Sequence, residues 1–294
     1  MSAITLDGRL VADGIHAETA VRVAALRARG IVPGLRFIRV GEDPASRAYV
    51  GMKEKKAVEL GIDSQTAVLP ETTTQEELIA LIRELNEDDT VHGILVQAPL
   101  PGHIVEQQVF SAVSPCKDVD GFHPENMGRL LLGDSGGFRP CTPAGIVELL
   151  TRCDITIEGA DVVILGRGNI VGKPLAAMLC QKNAGANATV TLVHSRTRRV
   201  EGHCRRADIL IAAMGQAEFV RGDMVKPGAV VIDVGVNRIE DASAPRGYRL
   251  VGDVNHAEVR EIAGALTPNP GGVGPMTIAM LMANTARAAE MTLL

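Results

Sequence analysis

Residues 161–174 read DVVILGRGNIVGKP, and this stretch decides the fold. Residues 161–165 are a short β-branched and aliphatic run of the kind that forms a buried strand. Gly166, Gly168 and Gly172 follow at once, and Pro174 falls in the first turn of an expected helix. Glycines between a strand and a helix permit a tight turn and let backbone amides approach phosphate oxygens with no Cβ in the way. The helix N-terminus then favours negative charge. The spacing G-x-G-x-x-x-G differs by one residue from the commoner dinucleotide fingerprint. The same glycines also fit a turn that binds nothing, so the signal rests on their placement between strand and helix.

Working outward, a helix is expected over 174–182 and strands over 188–194, 207–213 and 229–236, with a closing Ala/Met-rich helix over 275–290. At the end of the second of these strands, where NAD-binding folds usually carry an acid for the ribose 2′-hydroxyl, the chain reads His194-Ser195-Arg196. A hydroxyl and a guanidinium suit a 2′-phosphate, which a carboxylate would repel, and Arg167 in the glycine turn is in reach of the same group. This predicts NADP over NAD. A solvated loop carrying Arg196, Arg198 and Arg199 is the competing reading.

Upstream, a helix over 11–29 precedes a strand over 35–40. A second helix, capped by Asp43 or Ser46, runs through Leu60 and stops at Gly61. Residues 67–69 end another strand. Thr74 and Glu77 form a capping box ahead of Leu78, Leu81, Ile82 and Leu85, and 91–97 is a third strand. Strand, helix, strand, helix, strand argues for a parallel sheet covered by helices, with chemistry at the carboxyl ends of its strands. Residues 98–140, dense in Gly and Pro, are expected to be functional loops with short helices between them. A helix over 142–153 links the halves.

Composition narrows the function classes. The chain has 294 residues, 46% hydrophobic and 22% charged, which excludes disorder over most of its length. Lys and Arg total 30 against 35 Asp and Glu, so there is no global attraction to nucleic acid. Aromatics are 2%, with no Trp, so the core must be aliphatic and recognition by stacking platforms is excluded. Cys116, Cys141, Cys153, Cys180 and Cys204 have neither disulfide nor zinc spacing, and free thiols in a reducing compartment are expected, with no metal. The N-terminal residues have no signal-peptide pattern, and no apolar run approaches the roughly 20 residues of a membrane span. A cytoplasmic protein is expected.

Tyr49 and Lys53 are four residues apart and share a helix face. A Lys beside a phenol and partly desolvated has its ammonium disfavoured and can exchange a proton. A cationic surface patch of Lys53, Lys55 and Lys56 is the plainer reading. Gln97 ends the third strand, and Asp118 and Asp120 lie in the loop after it. A buried carboxylate there suits an amino-pyrimidine edge through paired N–H bonds, though KDVDG is also an ordinary turn.

The segments DPASRAYVGMKEKKAVELGI, GILVQAPLP, KDVDGFHPENMGRL, PCTPAG, GRGNIVGKPLA, VTLVHSRT, DVGVNR, GDV and PNPGGVGPMT cover almost the whole chain. In order and spacing they resemble the bifunctional methylenetetrahydrofolate dehydrogenase/methenyltetrahydrofolate cyclohydrolase family, the bacterial FolD proteins. The resemblance implies two α/β domains. One is a three-layer catalytic domain over 1–141, closed by the C-terminal helix 275–294. The other is a Rossmann-like NADP-binding domain over 142–274. It implies NADP-dependent oxidation of 5,10-methylenetetrahydrofolate and hydrolysis of the methenyl product to 10-formyltetrahydrofolate, by a homodimer acting on tetrahydrofolate derivatives, with no nucleic-acid or membrane partner.

By the same resemblance Lys53 transfers the proton of hydrolysis, Tyr49 lines the folate site, Gln97 tunes Lys53 and Asp120 anchors the pterin. Leu100, Pro270, Gly271, Gly272 and Val273 border the folate. Gly166, Arg167, Gly168, Asn169, Ile170, Gly172, Lys173, Pro174, His194, Ser195, Arg196 and Val236 hold NADP. Three positions depart from the family: Gly168 where many relatives have Ser, Ala98 where Leu is usual, and Asn269 where Val is usual. A dehydrogenase with weak cyclohydrolase activity and a non-catalytic NADP-binding protein are the alternatives.

Overall fold

The computed structural model describes residues 2–241 and 247–293. Met1 and Leu294, the outermost residues of the expected catalytic domain and closing helix, lie outside them. In chain order the elements are β1 (Ile4–Thr5), α1 (Gly8–Ala28), β2 (Gly34–Val40), α2 (Pro44–Glu59), β3 (Asp63–Leu69), α3 (Gln75–Glu87), β4 (Gly93–Val96), α4 (Glu106–Ala112), α5 (Pro124–Leu132) and α6 (Cys141–Arg152). They continue as β5 (Asp161–Leu165), α7 (Gly172–Leu179), β6 (Thr189–Val193), α8 (Val200–Cys204), β7 (Ile209–Ala212), β8 (Val230–Asp233), β9 (Asn237–Glu240), β10 (Tyr248–Val251), α9 (His256–Val259), β11 (Ala265–Leu266) and α10 (Val273–Met291). Met1–Ala12 with Thr142–Thr277 form one compact unit, and Asp13–Cys141 with Ile278–Leu294 form another.

The second unit holds a parallel sheet in the order β3-β2-β4. Strands β4 (GILV) and β2 (GLRFIRV) are buried almost throughout because both faces are covered, whereas the edge strand β3 (DSQTAVL) has no buried residue. Leu35, Phe37 and Leu95 point to one face, where Val23, Val50, Ala57, Leu281, Met282 and Ala286 of the helices pack. Ile38, Val40, Ile94 and Val96, one residue out of phase, point to the other, against Leu78 and Ile82 of α3 and Val109 of α4. Each such side chain, fully buried, contributes roughly 1.5–3 kcal/mol. Asp43 caps α2 by accepting from Ser46 N, and Thr74 with Glu77 makes both bonds of the capping box of α3.

The first unit is a doubly wound sheet in the order β1-β11-β8-β7-β5-β6, parallel throughout. Strand β5, next to the edge strand β6, has the bounds the sequence suggests. Helix α7 starts two residues before the expected Pro174 and ends before 182, because residues 181–187 turn back so that Asn187 N donates to Gln181 O, with Gly185 at φ +79°. The last helix starts at Val273, which puts Pro275 in its first turn, where a missing N–H breaks no helical bond. Among the described residues, no helix is long and apolar enough to cross a membrane.

Candidate active site

Helix α2 buries Val50 and Ala57 in the core and leaves Tyr49 39% exposed and Lys53 half-buried on another face. Lys53 Nζ donates to Gln97 Oε1 at 3.0 Å. Gln97 directly follows β4; its backbone N–H donates to Ile38 O at 2.9 Å and its Nε2 donates to Ala98 O. With the amide nitrogen committed to a carbonyl, the oxygen is the atom presented to the ammonium.

The two aspartates of the 117–121 loop separate sharply. Asp118 is buried and accepts from Gly121 N and Phe122 N on Oδ1 and from His123 N and Asn126 Nδ2 on Oδ2, at 2.7–3.2 Å. All its capacity is spent on holding the loop. Burial pushes its carboxyl up to about 6 although the four donors favour the ionised form. Asp120 is half-buried. Desolvation raises its carboxyl, and the nearby Lys53 ammonium and a hydrogen bond from the Cys141 thiol pull it down. Cys141 is fully buried, its thiol pushed well above the ordinary range by burial and by Asp120. Asn284 of α10 donates to Val119 O at 2.8 Å and reaches Cys141 Sγ at 3.6 Å, so the closing helix fixes the backbone beside Asp120. Lys53, Gln97 and Asp120 thus stand together, with Leu100 just beyond Gln97 and its N–H donating to Glu106 Oε1. Of these two residues, Cys141 is marked in the sequence only by the PCTPAG segment, and nothing local marks Asn284.

In the other unit the glycine turn follows β5. A Cβ on Gly166 would lie 2.1 Å from Ala213 O, and one on Gly172 would lie 2.2 Å from Gly166 O, so both positions demand glycine. Gly168 faces open space. Arg167, Gly168, Asn169 and Ile170 are exposed, and Lys173 Nζ donates to Asn169 Oδ1 at 2.7 Å. No side chain caps α7; Lys173 N donates to Gly168 O at 3.1 Å and the buried Pro174 brings no N–H, so of its first three positions only the Gly172 N–H is left for a phosphate. At the end of β6, His194 N donates to Thr197 Oγ1 and Arg196 N donates to His194 Nδ1, which leaves the Ser195 and Arg196 side chains exposed with no carboxylate among them. These features fit a dinucleotide with a phosphorylated ribose. Val236, 57% exposed, follows β8. Pro270 and Gly271 lead into α10, Gly271 at φ +115°, and Gly272 O sits so close to α1 that a Cβ on Gly8 would be 1.8 Å from it. Val273 is buried.

Comparison with known proteins covers both units. Residues 6–120 match the family model for the tetrahydrofolate dehydrogenase/cyclohydrolase catalytic domain, and residues 140–293 match that for its NAD(P)-binding domain. The chain is 55% identical over 287 residues to the bifunctional protein FolD of Chlorobium chlorochromatii, covering 97% of each. The crystal structure of the bifunctional enzyme FolD, methylenetetrahydrofolate dehydrogenase/cyclohydrolase, from Campylobacter jejuni superposes with TM-score 0.93 at 46% identity, covering 99% of this chain and 100% of that one. The Trypanosoma brucei methylenetetrahydrofolate dehydrogenase-cyclohydrolase, solved with NADP cofactor and inhibitor, superposes with TM-score 0.93 at 41% identity, covering 100% and 99%.

Proposed function

This chain belongs to the tetrahydrofolate dehydrogenase/cyclohydrolase family, and on that premise we propose how its residues divide two reactions. In the first, 5,10-methylenetetrahydrofolate loses a hydride and becomes the cationic 5,10-methenyl compound. Bound NADP supplies the hydride acceptor. The protein's work here is positioning: the 166–172 turn and the α7 N-terminus hold phosphates, and Arg167, Ser195 and Arg196 hold the 2′-phosphate. In the second, water attacks the methenyl carbon, loses a proton, and the bridge opens to 10-formyltetrahydrofolate. Lys53 transfers that proton, Gln97 fixes its Nζ, Asp120 accepts N–H bonds from the pterin edge, and Tyr49, Leu100 and the 270–273 segment border the folate.

The observation that carries this reading is the 3.0 Å bond from Lys53 Nζ to Gln97 Oε1, with Asp120 near enough for the Lys53 charge to act on its carboxyl. A surface cationic patch would not order its Lys against a strand-end amide. We also read the enzyme as a cytoplasmic homodimer; the edge strand β3, paired on one side by β2, supports a second copy. Incubation with methylenetetrahydrofolate and either cofactor tests the function. NADP reduction followed by decay of the methenyl compound is expected, with NAD used poorly. Reduction without decay would leave a dehydrogenase alone, and neither change would leave a binding protein.

A further inference from the structure

Asp233, at the end of β8, is 2% exposed and surrounded by donors. Its Oδ1 accepts from Gly235 N at 3.1 Å and Asp253 N at 2.8 Å; its Oδ2 takes His256 Nε2 at 3.0 Å and Asn269 Nδ2 at 3.2 Å. The same Asn269 nitrogen donates to Gly235 O at 2.7 Å. Asp253, fully buried, accepts from Met214 N, Gly215 N, Gln216 N and Asn237 Nδ2 at 2.7–3.0 Å. The packing leaves no slack: a Cβ on Gly252 would fall 1.6 Å from Asp233 Oδ2, and one on Gly235 would fall 2.2 Å from Asp253 Oδ1. Two carboxylates therefore tie together the segments that follow β7, β8 and β11.

Those segments lie on one side of the nucleotide turn. Strand β5 has β6 on one flank and β7, then β8 and β11, on the other. A dinucleotide whose phosphates sit at the β5 turn and whose adenosine ribose sits at the end of β6 extends its reactive half over β7 and β8. Hydride transfer is sensitive to placement at the ångström scale. Residues 234–236 and 270–273 are both joined to Asp233 through Gly235 and Asn269. His256, a third exposed on its side chain, closes the network from α9.

We propose that His256 and Asn269 are positioning residues for hydride transfer, acting through Asp233 to set the backbone after β8 and β11. The inference rests on the dehydrogenase reading above. Asn269 supplies through its amide a bridge between Asp233 and Gly235 O that a Val there would lack. Proton transfer rests on the Lys53–Gln97 pair, so hydrolysis, which meets this network only through the 270–273 border of the folate, loses less than hydride transfer.

The test measures NADP reduction with methylenetetrahydrofolate, and separately methenyl hydrolysis without NADP, in wild type, His256→Ala, His256→Gln and Asn269→Val. Removing one hydrogen bond to a buried charge lowers the dehydrogenase kcat about tenfold, with KM for NADP rising less than about threefold and cyclohydrolase kcat held within about twofold. His256→Gln, whose Nε2 still donates to Asp233, recovers to within about threefold of wild type. Asn269→Val shows the same split and serves if His256→Ala does not fold. An unchanged dehydrogenase kcat, a parallel fall of both activities, or a Gln variant as impaired as Ala overturns the inference. A wild type that fails to reduce NADP overturns the reading beneath it instead.

Discussion

Gly168 is the point in the cofactor turn where one added atom group has room to act. Gly166 and Gly172 are locked, because a Cβ at either would fall 2.1–2.2 Å from a carbonyl oxygen, but a Cβ at 168 meets nothing within 4 Å. Gly168→Ser should tighten NADP, since a hydrogen bond to a phosphate is worth roughly 1.5–3 kcal/mol, on the order of tenfold in Kd or more. Calorimetric titration checks this, and an unchanged Kd would mean the hydroxyl has no phosphate to meet. The aspartates of KDVDG teach a related lesson. Sequence leaves Asp118 and Asp120 equivalent, because the difference lies in which backbone N–H groups curl back on the first, and only the folded loop decides that.

At the scale of elements, the loop from Lys117 into α5 depends on Asp118 as its organising acceptor. Asp118→Asn would set an NH₂ group against two donors, and should lower stability by roughly 1–3 kcal/mol. The pH dependence has a definite sign. The folded carboxyl, at about 6, lies above its ordinary 3.8, so the folded state holds that proton more tightly. Its contribution is full below about pH 4 and is lost as pH rises through about 6. Thermal melting of wild type and variant should therefore show a margin that shrinks between about pH 4 and about pH 6; a margin that grows would contradict the burial argument. Elements with a strong local signature were legible in sequence. Strand β5 and the capping box of α3 stand where their residues indicate. The two-residue strands β1 and β11 were not, because Ile4 and Ala265 form a strand only by pairing across the chain. The Asp233 network was equally hidden, its members contributed by segments with no common local pattern.

For the whole molecule, the scarcity of aromatics has a structural counterpart: Phe37 and Phe138 are buried, and the rest of the described core is aliphatic residues, Ala, Met and Cys. Tyr49, one of 2 tyrosines, is exposed on α2 one turn before Lys53 and adds little to the core. The net charge of −5 gives no help with anionic folate and NADP, so in the function proposed above the holding of charge is assigned to Lys53, Arg167, Arg196 and the α7 N-terminus. What the sequence conveyed through long, specific segments was the family and the pair of reactions. The separation of those reactions between distinct residue groups is the central claim, and Lys53→Met tests it most directly. Assayed for both activities in the folded variant, methenyl hydrolysis should fall by about 10²-fold or more, as the loss of a general acid/base requires, while NADP reduction falls less than about tenfold. Normal hydrolysis in that variant, or an equal loss of both activities, would contradict the account.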